Sequence, residues 1–296
     1  MIKEDAQKNE LKALISLIDE PDERIYEEIK QKIFSYGTDA IPELEIAWEN
    51  FLEPHLQKRI EGLIKVIQFE NVQSELKNWV DFGGKNLLLG WIIISKNQYP
   101  NLKEEEIKKQ IDLIKNDIWL ELNDNLTALE KVRIINHIFY DIYGFTGNSS
   151  NFHAPQNSFI NNVLDSKKGN PLSLGVIYSI ISQSLNFPIY GVNLPEHFVL
   201  AYTNEKRSDS LSFIDKNEVL FYLNPFKKGI VFSKKEITSF LSELKLPYTD
   251  AFIKPCSNID IIRRFLNNLV FSYGQLKATS KIAEMKLLLS IINKEV

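Results

Sequence analysis

A histidine, a tight turn and an apolar helix converge in residues 157–202, NSFINNVLDSKKGNPLSLGVIYSIISQSLNFPIYGVNLPEHFVLAY. Lys168-Gly169-Asn170-Pro171 reads as a turn that opens a helix, with Pro171 at the first helical position, where its missing N–H costs nothing. Two short strands follow, and His197 stands in the second, just after Pro195-Glu196. An imidazole there can serve chemistry in a pocket, as a general base does. It can equally be a strand histidine with one ring nitrogen satisfied. Glu196 points to the opposite face of a regular strand and is a poor partner for His197. His153, in Asn151-Phe152-His153-Ala154-Pro155, lies on a loop able to reach the same pocket. Asn157 reads as the N-cap of the short helix before the turn. His137, on an amphipathic helix, and His55, at the start of a surface helix, read as structural.

Other chemistries find no motif. No histidine pair has zinc-site spacing, and neither Gly83-Gly84 nor Gly169 makes a phosphate loop, so no metal and no cofactor are expected. Cys256 is the single cysteine. An intramolecular disulfide is impossible, which fits a reducing, cytoplasmic compartment. The formal charge of -4 is spread over mixed acids and bases with no basic stripe, which argues against nucleic acid. The apolar runs at residues 87–94 and 287–292 are too short to span a bilayer, and MIKEDAQKNE lacks a signal-peptide core. The Asn125 and Asn148 sequons read as chance matches. With 44% hydrophobic and 25% charged residues, the 296-residue chain can bury a sizeable core.

The elements that must position this stretch are mostly helical. Leu11, Leu14, Ile15 and Ile18 mark one buried face, and Ile25, Ile29 and Ile33 continue it on a second helix ending at Gly37. Thr38 or Asp39 can cap a third, with Ile41, Leu44, Trp48 and Phe51 inward. Pro54 introduces a fourth, with Ile60, Leu63, Ile64 and Ile67. Residues 1–81 therefore read as a helical region of HEAT-like pairs or an irregular bundle. After the Asp81–Gly84 breaker, residues 87–94 form a buried helix and 103–122 a long amphipathic one. Thr127 and Glu130 form a capping box for a helix that stops at Gly144. Residues 145–156 form an ordered loop able to line a site. Strands are expected at 187–192, 198–202, 211–214, 219–223 and 230–232, in an antiparallel sheet. Ser233 and Glu236 form a second capping box for a helix to about Leu244. Residues 259–273 and 278–292 close the chain as a helix hairpin. Ile262, Phe265, Leu266 and Leu269 are set to face Ile282, Met285, Leu289 and Ile292.

The runs YGFTGN, NSFINNVLDSKKGNPLSLGVIY, GVNLPEHFVLAY and FYLNPFKKG, in this order, resemble the SirB-type branch of the transglutaminase-like superfamily over residues 142–232. The resemblance implies an α+β fold with a papain-like core, a central helix packed on an antiparallel sheet. It also implies helical flanks, HEAT-like over 1–81 and a TPR-like pair over 246–296, around a domain at 82–245. Active members use a Cys-His-Asp triad, with the thiolate stabilised at the start of the central helix. Carried over, the nucleophile position falls at Pro171, which can do no covalent chemistry. Ser173 is the nearest hydroxyl. His197 matches the family histidine, and Asn224 stands where the aspartate would be. An asparagine can orient an imidazole but cannot stabilise its cation by charge. Ser173 also reads as a first-turn residue bonding its own backbone, and Asn224 before Pro225 as ordinary turn chemistry. Cys256 lies well beyond the nucleophile position.

Three functions compete. One is a pseudoenzyme whose pocket, with His197, Asn224 and Asn157 nearby and Pro171 and His153 as binding candidates, holds a peptide or protein partner. The second is a hydrolase or acyl transferase using Ser173, His197 and Asn224, which needs the hydroxyl within hydrogen-bond reach of the imidazole. The third is a purely structural module with no pocket.

Overall fold

The computed structural model describes residues 2–204, 219–243, 245 and 249–293. The chain falls into two units, Met1–Leu76 and Lys77–Val296, and the division lies within one helix.

The first unit contains α1 (Ile2–Ser16), α2 (Glu23–Phe34), a 3₁₀ turn (Gly37–Ala40), α3 (Ile41–Asn50) and the start of α4 (Pro54–Asp81). Leu11, Ile15, Ile18, Ile29, Ile33, Leu44, Ile60, Leu63 and Ile67 share one buried cluster, so the apolar periodicity defines its inner faces. Arg59 donates from Nη1 to the carbonyls of Ile18, at 2.7 Å, and Glu20, at 3.1 Å. It also lies 4.1 Å over the Tyr26 ring, which pins the link between α1 and α2. Two expected core residues are exposed. Ile25 gives its inward place to Tyr26, and Trp48 turns outward to donate its indole N–H to Glu61 at 3.0 Å. The cap of α3 is Ala40 rather than Thr38 or Asp39, because the 3₁₀ turn feeds the helix directly.

In the second unit α5 (Leu87–Lys96) is buried almost throughout, and α6 (Glu104–Glu121) buries Ile107, Ile111, Ile114 and Ile118. The Thr127 and Glu130 capping box opens α7 (Ala128–Asn136), which continues as a π-helix over His137–Ile142. Two-residue strands β1 (Thr146–Gly147) and β2 (Lys168–Gly169) pair in parallel on either side of a 3₁₀ turn (Pro155–Ser158) and α8 (Ile160–Ser166). The sequence gives no pattern for strands this short. The central helix is α9 (Pro171–Ser184).

Strands β3 (Ile189–Leu194), β4 (His197–Thr203), β5 (Val219–Asn224) and β6 (Ile230–Phe232) form an antiparallel sheet in chain order. Residues 211–214, expected as a strand, lie outside the described residues. The sheet is covered on two faces. Phe198 packs towards α9, so close that a Cβ at Gly175 would stand 2.9 Å from its ring. Val199, Ala201 and Tyr222 instead share a core with Ile237 and Leu241 of α10 (Lys234–Glu243). The β3 and α9 layers are tied by Ser179 and Gln183, whose side chains donate to the Ile189 carbonyl at 3.1 and 2.8 Å.

The chain closes with α11 (Asn258–Gln275) and α12 (Thr279–Asn293). Phe265 stacks on Trp91 of α5 with ring centroids 4.7 Å apart, and Trp91 donates to the Ser158 carbonyl at 2.8 Å. On α12 the buried residues are Met285, Leu288 and Ile292. Leu289 and Ile282 are only partly covered, a roll of one residue from the expected face. This is an α+β structure, a helix-rich chain around one small antiparallel sheet.

Candidate functional site

The start of α9 is locked by side chains from its own turn. Lys167 adopts a left-handed conformation with φ 58°, ending α8 and turning the chain into β2. Asn170 caps α9: its Oδ1 accepts the Ser173 N–H at 2.9 Å. In return the Asn170 N–H donates to Ser173 Oγ at 3.0 Å, and Ser173 Oγ donates to the Asn170 carbonyl at 3.2 Å. Both partners are buried, so this capping box satisfies groups that water cannot reach. Gly169 is required beside it, since a Cβ there would stand 2.5 Å from Ser173 Oγ.

The three candidate residues Ser173, His197 and Asn224 each engage other partners. The Ser173 hydroxyl faces its own helix turn. His197 opens β4 on the α10 side of the sheet, exposed, with its ring 4.7 Å from that of Phe240. Strand alternation explains this: Phe198, its neighbour, takes the α9 side. Asn224 Oδ1 accepts the N–H groups of Phe226 and Lys227, both at 3.1 Å, and so caps the turn after β5. Among the described residues no hydrogen bond joins Ser173, His197 and Asn224 to one another.

A cavity of 130 Å³ does open at this end of α9. Asn170, Pro171 and Leu172 form one wall and Phe198 another. The loop residues Phe152 and His153 form the rim, with His153 5.0 Å from the Phe152 ring and 5.1 Å from Phe271. Pro171 and His153 therefore line the same cavity. Asn157 holds the loop rather than capping α8, whose cap residue is Phe159. Its amide donates to the carbonyls of Asn151 and Phe152 at 2.8 and 2.9 Å and accepts from Asn148 at 2.9 Å. Glu196 also borders the cavity, because it occupies the β3–β4 turn with φ 58° and is not held to strand alternation.

The fourth wall comes from α11, through Arg264, Asn268, Phe271 and Ser272. Apolar periodicity marks only the inner face of this helix. The available signal was the i, i+4, i+7 spacing of Arg264, Asn268 and Phe271, a second face on the same helix. Arg264 donates from Nη1 to Asn193 Oδ1 at 2.7 Å and to the Leu194 carbonyl at 2.9 Å, which fixes it against the β3 end. Burial pushes its pKa down from the usual arginine value, while the nearby Cys256 acts the other way. Cys256 itself lies beside β3, donating from Sγ to the Gly191 carbonyl at 3.3 Å. Among the described residues no group of three or more His, Cys, Asp or Glu side chains is placed to hold a metal.

Residues 105–267, from α6 into α11 and including every wall of this cavity except Phe271, Ser272 and Asn268, match the Transglutaminase-like superfamily. The chain belongs to this superfamily. Similar proteins include a UPF0162 protein of Vibrio cholerae, 28% identical over 191 residues, 63% of this chain and 66% of that one. A UPF0162 protein of Xylella fastidiosa is 27% identical over 113 residues, 37% of this chain and 39% of that protein. The F-box only protein 21 of Mus musculus is 26% identical over 137 residues, 46% of this chain but 21% of its own. The chain thus spans about two fifths of the Xylella relative and less than two thirds of the others named. No solved structure matches it. Pro171 begins the central helix. No described helix is long and apolar enough to cross a membrane.

Proposed function

We infer that this transglutaminase-like domain is a pseudoenzyme, a binding module that receives a peptide segment of a partner protein in the cavity at the start of α9. The observation that carries the reading is Pro171 at the head of the central helix, with the Ser173 hydroxyl enclosed in the capping box beneath it. The Ser173 hydroxyl proton goes to the Asn170 carbonyl rather than to a base that could activate the oxygen. The cavity itself argues against a purely structural module. Its rim is aromatic and solvent-facing, Phe152 being 40% and Phe271 52% exposed, a composition that recurs where peptides dock.

In this reading the chain is a SirB-type member. Residues 1–81 act as a HEAT-like region and 246–296 as a TPR-like hairpin flanking a domain at 82–245, in the cytoplasm. Stacked helix pairs support partner binding because they present extended surfaces.

Two probes test the reading: a fluorophosphonate for activated serines and an iodoacetamide-type reagent for activated thiols. The expected result is no fluorophosphonate labelling of Ser173, and thiol labelling at Cys256 that His197→Ala leaves unchanged. Labelling of Ser173 that disappears in His197→Ala overturns it.

A further inference from the structure

Among the described residues Arg264 forms no ion pair with a carboxylate, and the Cys256 thiol is the one titratable group acting on it. Its side chain is largely buried against the β3 end and lies 5.8 Å from the Phe198 ring. Its Nη1 is fully engaged with neutral acceptors, Asn193 and Leu194. A guanidinium has five N–H donors. Among the described residues none of the others has an acceptor, and no carboxylate lies within ion-pairing distance. Holding such a charge away from water is costly unless an anion joins it. Glu196 borders the same cavity but forms no ion pair with it.

We propose that the cavity captures the free C-terminal carboxylate of a peptide on Arg264, with the last side chain between Phe198 and the Phe152–Phe271 rim. This rests on the peptide-binding reading above. Arg264 is the one permanently charged cation of the lining, and a planar guanidinium matches a carboxylate in two parallel bonds. At 130 Å³ the cavity takes the end of a chain rather than an internal loop with both arms. Asn268 and Ser272 add polar groups of the kind that hold a terminal amide and carboxylate.

The test uses the full chain and fluorescent hexapeptide pools with randomised last two residues. One pool has free carboxyl termini, one is amidated, and one is amidated with glutamate fixed at the last position. Binding is read by fluorescence polarisation. The expected result is binding of the free-acid pool, with the amidated pool weaker by at least about tenfold, the scale of a lost charge-assisted pair. Arg264→Gln should lose that preference. Because Arg264 also supports β3, a second variant, Asn268→Asp, leaves its bonds in place and sets a negative charge in the cavity; it too should weaken the acid pool and spare the amide pool. Equal binding of acid and amidated pools overturns the carboxylate assignment and leaves the peptide reading standing. Preference for the glutamate pool assigns the charge to a side chain and also overturns it. Binding of no pool overturns both readings.

Discussion

The Ser173 hydroxyl and the Asn170 N–H stand 3.0 Å apart, and the Asn170 side chain answers with a 2.9 Å bond to the Ser173 N–H. This reciprocal pair converts a possible nucleophile into a structural clasp. It also turns the Ser173 hydroxyl back onto the first turn of its own helix.

The clasp makes Ser173→Ala a stability variant. It strands the buried Asn170 N–H, so about 1–3 kcal/mol should be lost in urea unfolding. Turnover of an activated ester should stay at the wild-type background. Unchanged stability with altered turnover would contradict the assignment.

Pro171→Cys, made with Cys256→Ser, places a thiol at the head of α9. The free N–H groups and dipole of a helix N-terminus lower a thiol pKa below its usual value of about 8.5. Alkylation by iodoacetamide across pH should report that depression. No acyl transfer is expected, because the His197 ring stays on the α10 side against Phe240.

Gly175→Ala separates two opposing effects. In an isolated helix the change stabilises by about 1 kcal/mol. Here the new Cβ meets Phe198 at 2.9 Å and Pro225 at 3.1 Å. Overpacking of about 1–3 kcal/mol should reverse the sign. Adding Phe198→Leu should recover part of the loss, a non-additivity that a double-mutant cycle measures.

Alkaline pH tests the tyrosines of the second unit. Burial pushes Tyr273 up to about 12, with Tyr99 and Glu284 adding to it. Burial and then the hydrogen bond to Asp117 raise Tyr143 to about 12. A phenol in the unfolded chain ionises near pH 10. The folded state therefore holds the proton more tightly, and this contribution is intact below about pH 10 and lost as pH rises through about 12. Circular dichroism should show a base transition in that window. Tyr273→Phe, which has no proton to lose, should move its midpoint upward.

Much of this was readable from residues. Ile107, Ile111, Ile114 and Ile118 predicted α6, and Thr127 with Glu130 predicted where α7 starts, because periodicity and caps are local signals. The start of α9 at Pro171 followed from turn chemistry in the same way. Orientation is less legible. Glu196 lies away from His197, but in the turn rather than on a strand face, and its φ of 58° is not written in its identity. His197 was placed in the right strand, yet which face it takes depends on Phe198 finding room above Gly175 and Gly191. The α11 wall was hidden because one helix serves two neighbours. The apolar stripe was the louder pattern, and the fate of Arg264 is decided by long-range partners at Asn193 and Leu194.

Helix α11 seals the core through Phe265 on Trp91 and offers Arg264, the adjacent residue, to the cavity. Successive residues on a helix are separated by about 100° of rotation. The helix cannot roll to suit a new occupant without pulling Phe265 off the indole. The chemistry of this wall therefore changes by exchanging side chains at positions 264, 268 and 271 on a backbone that stays put.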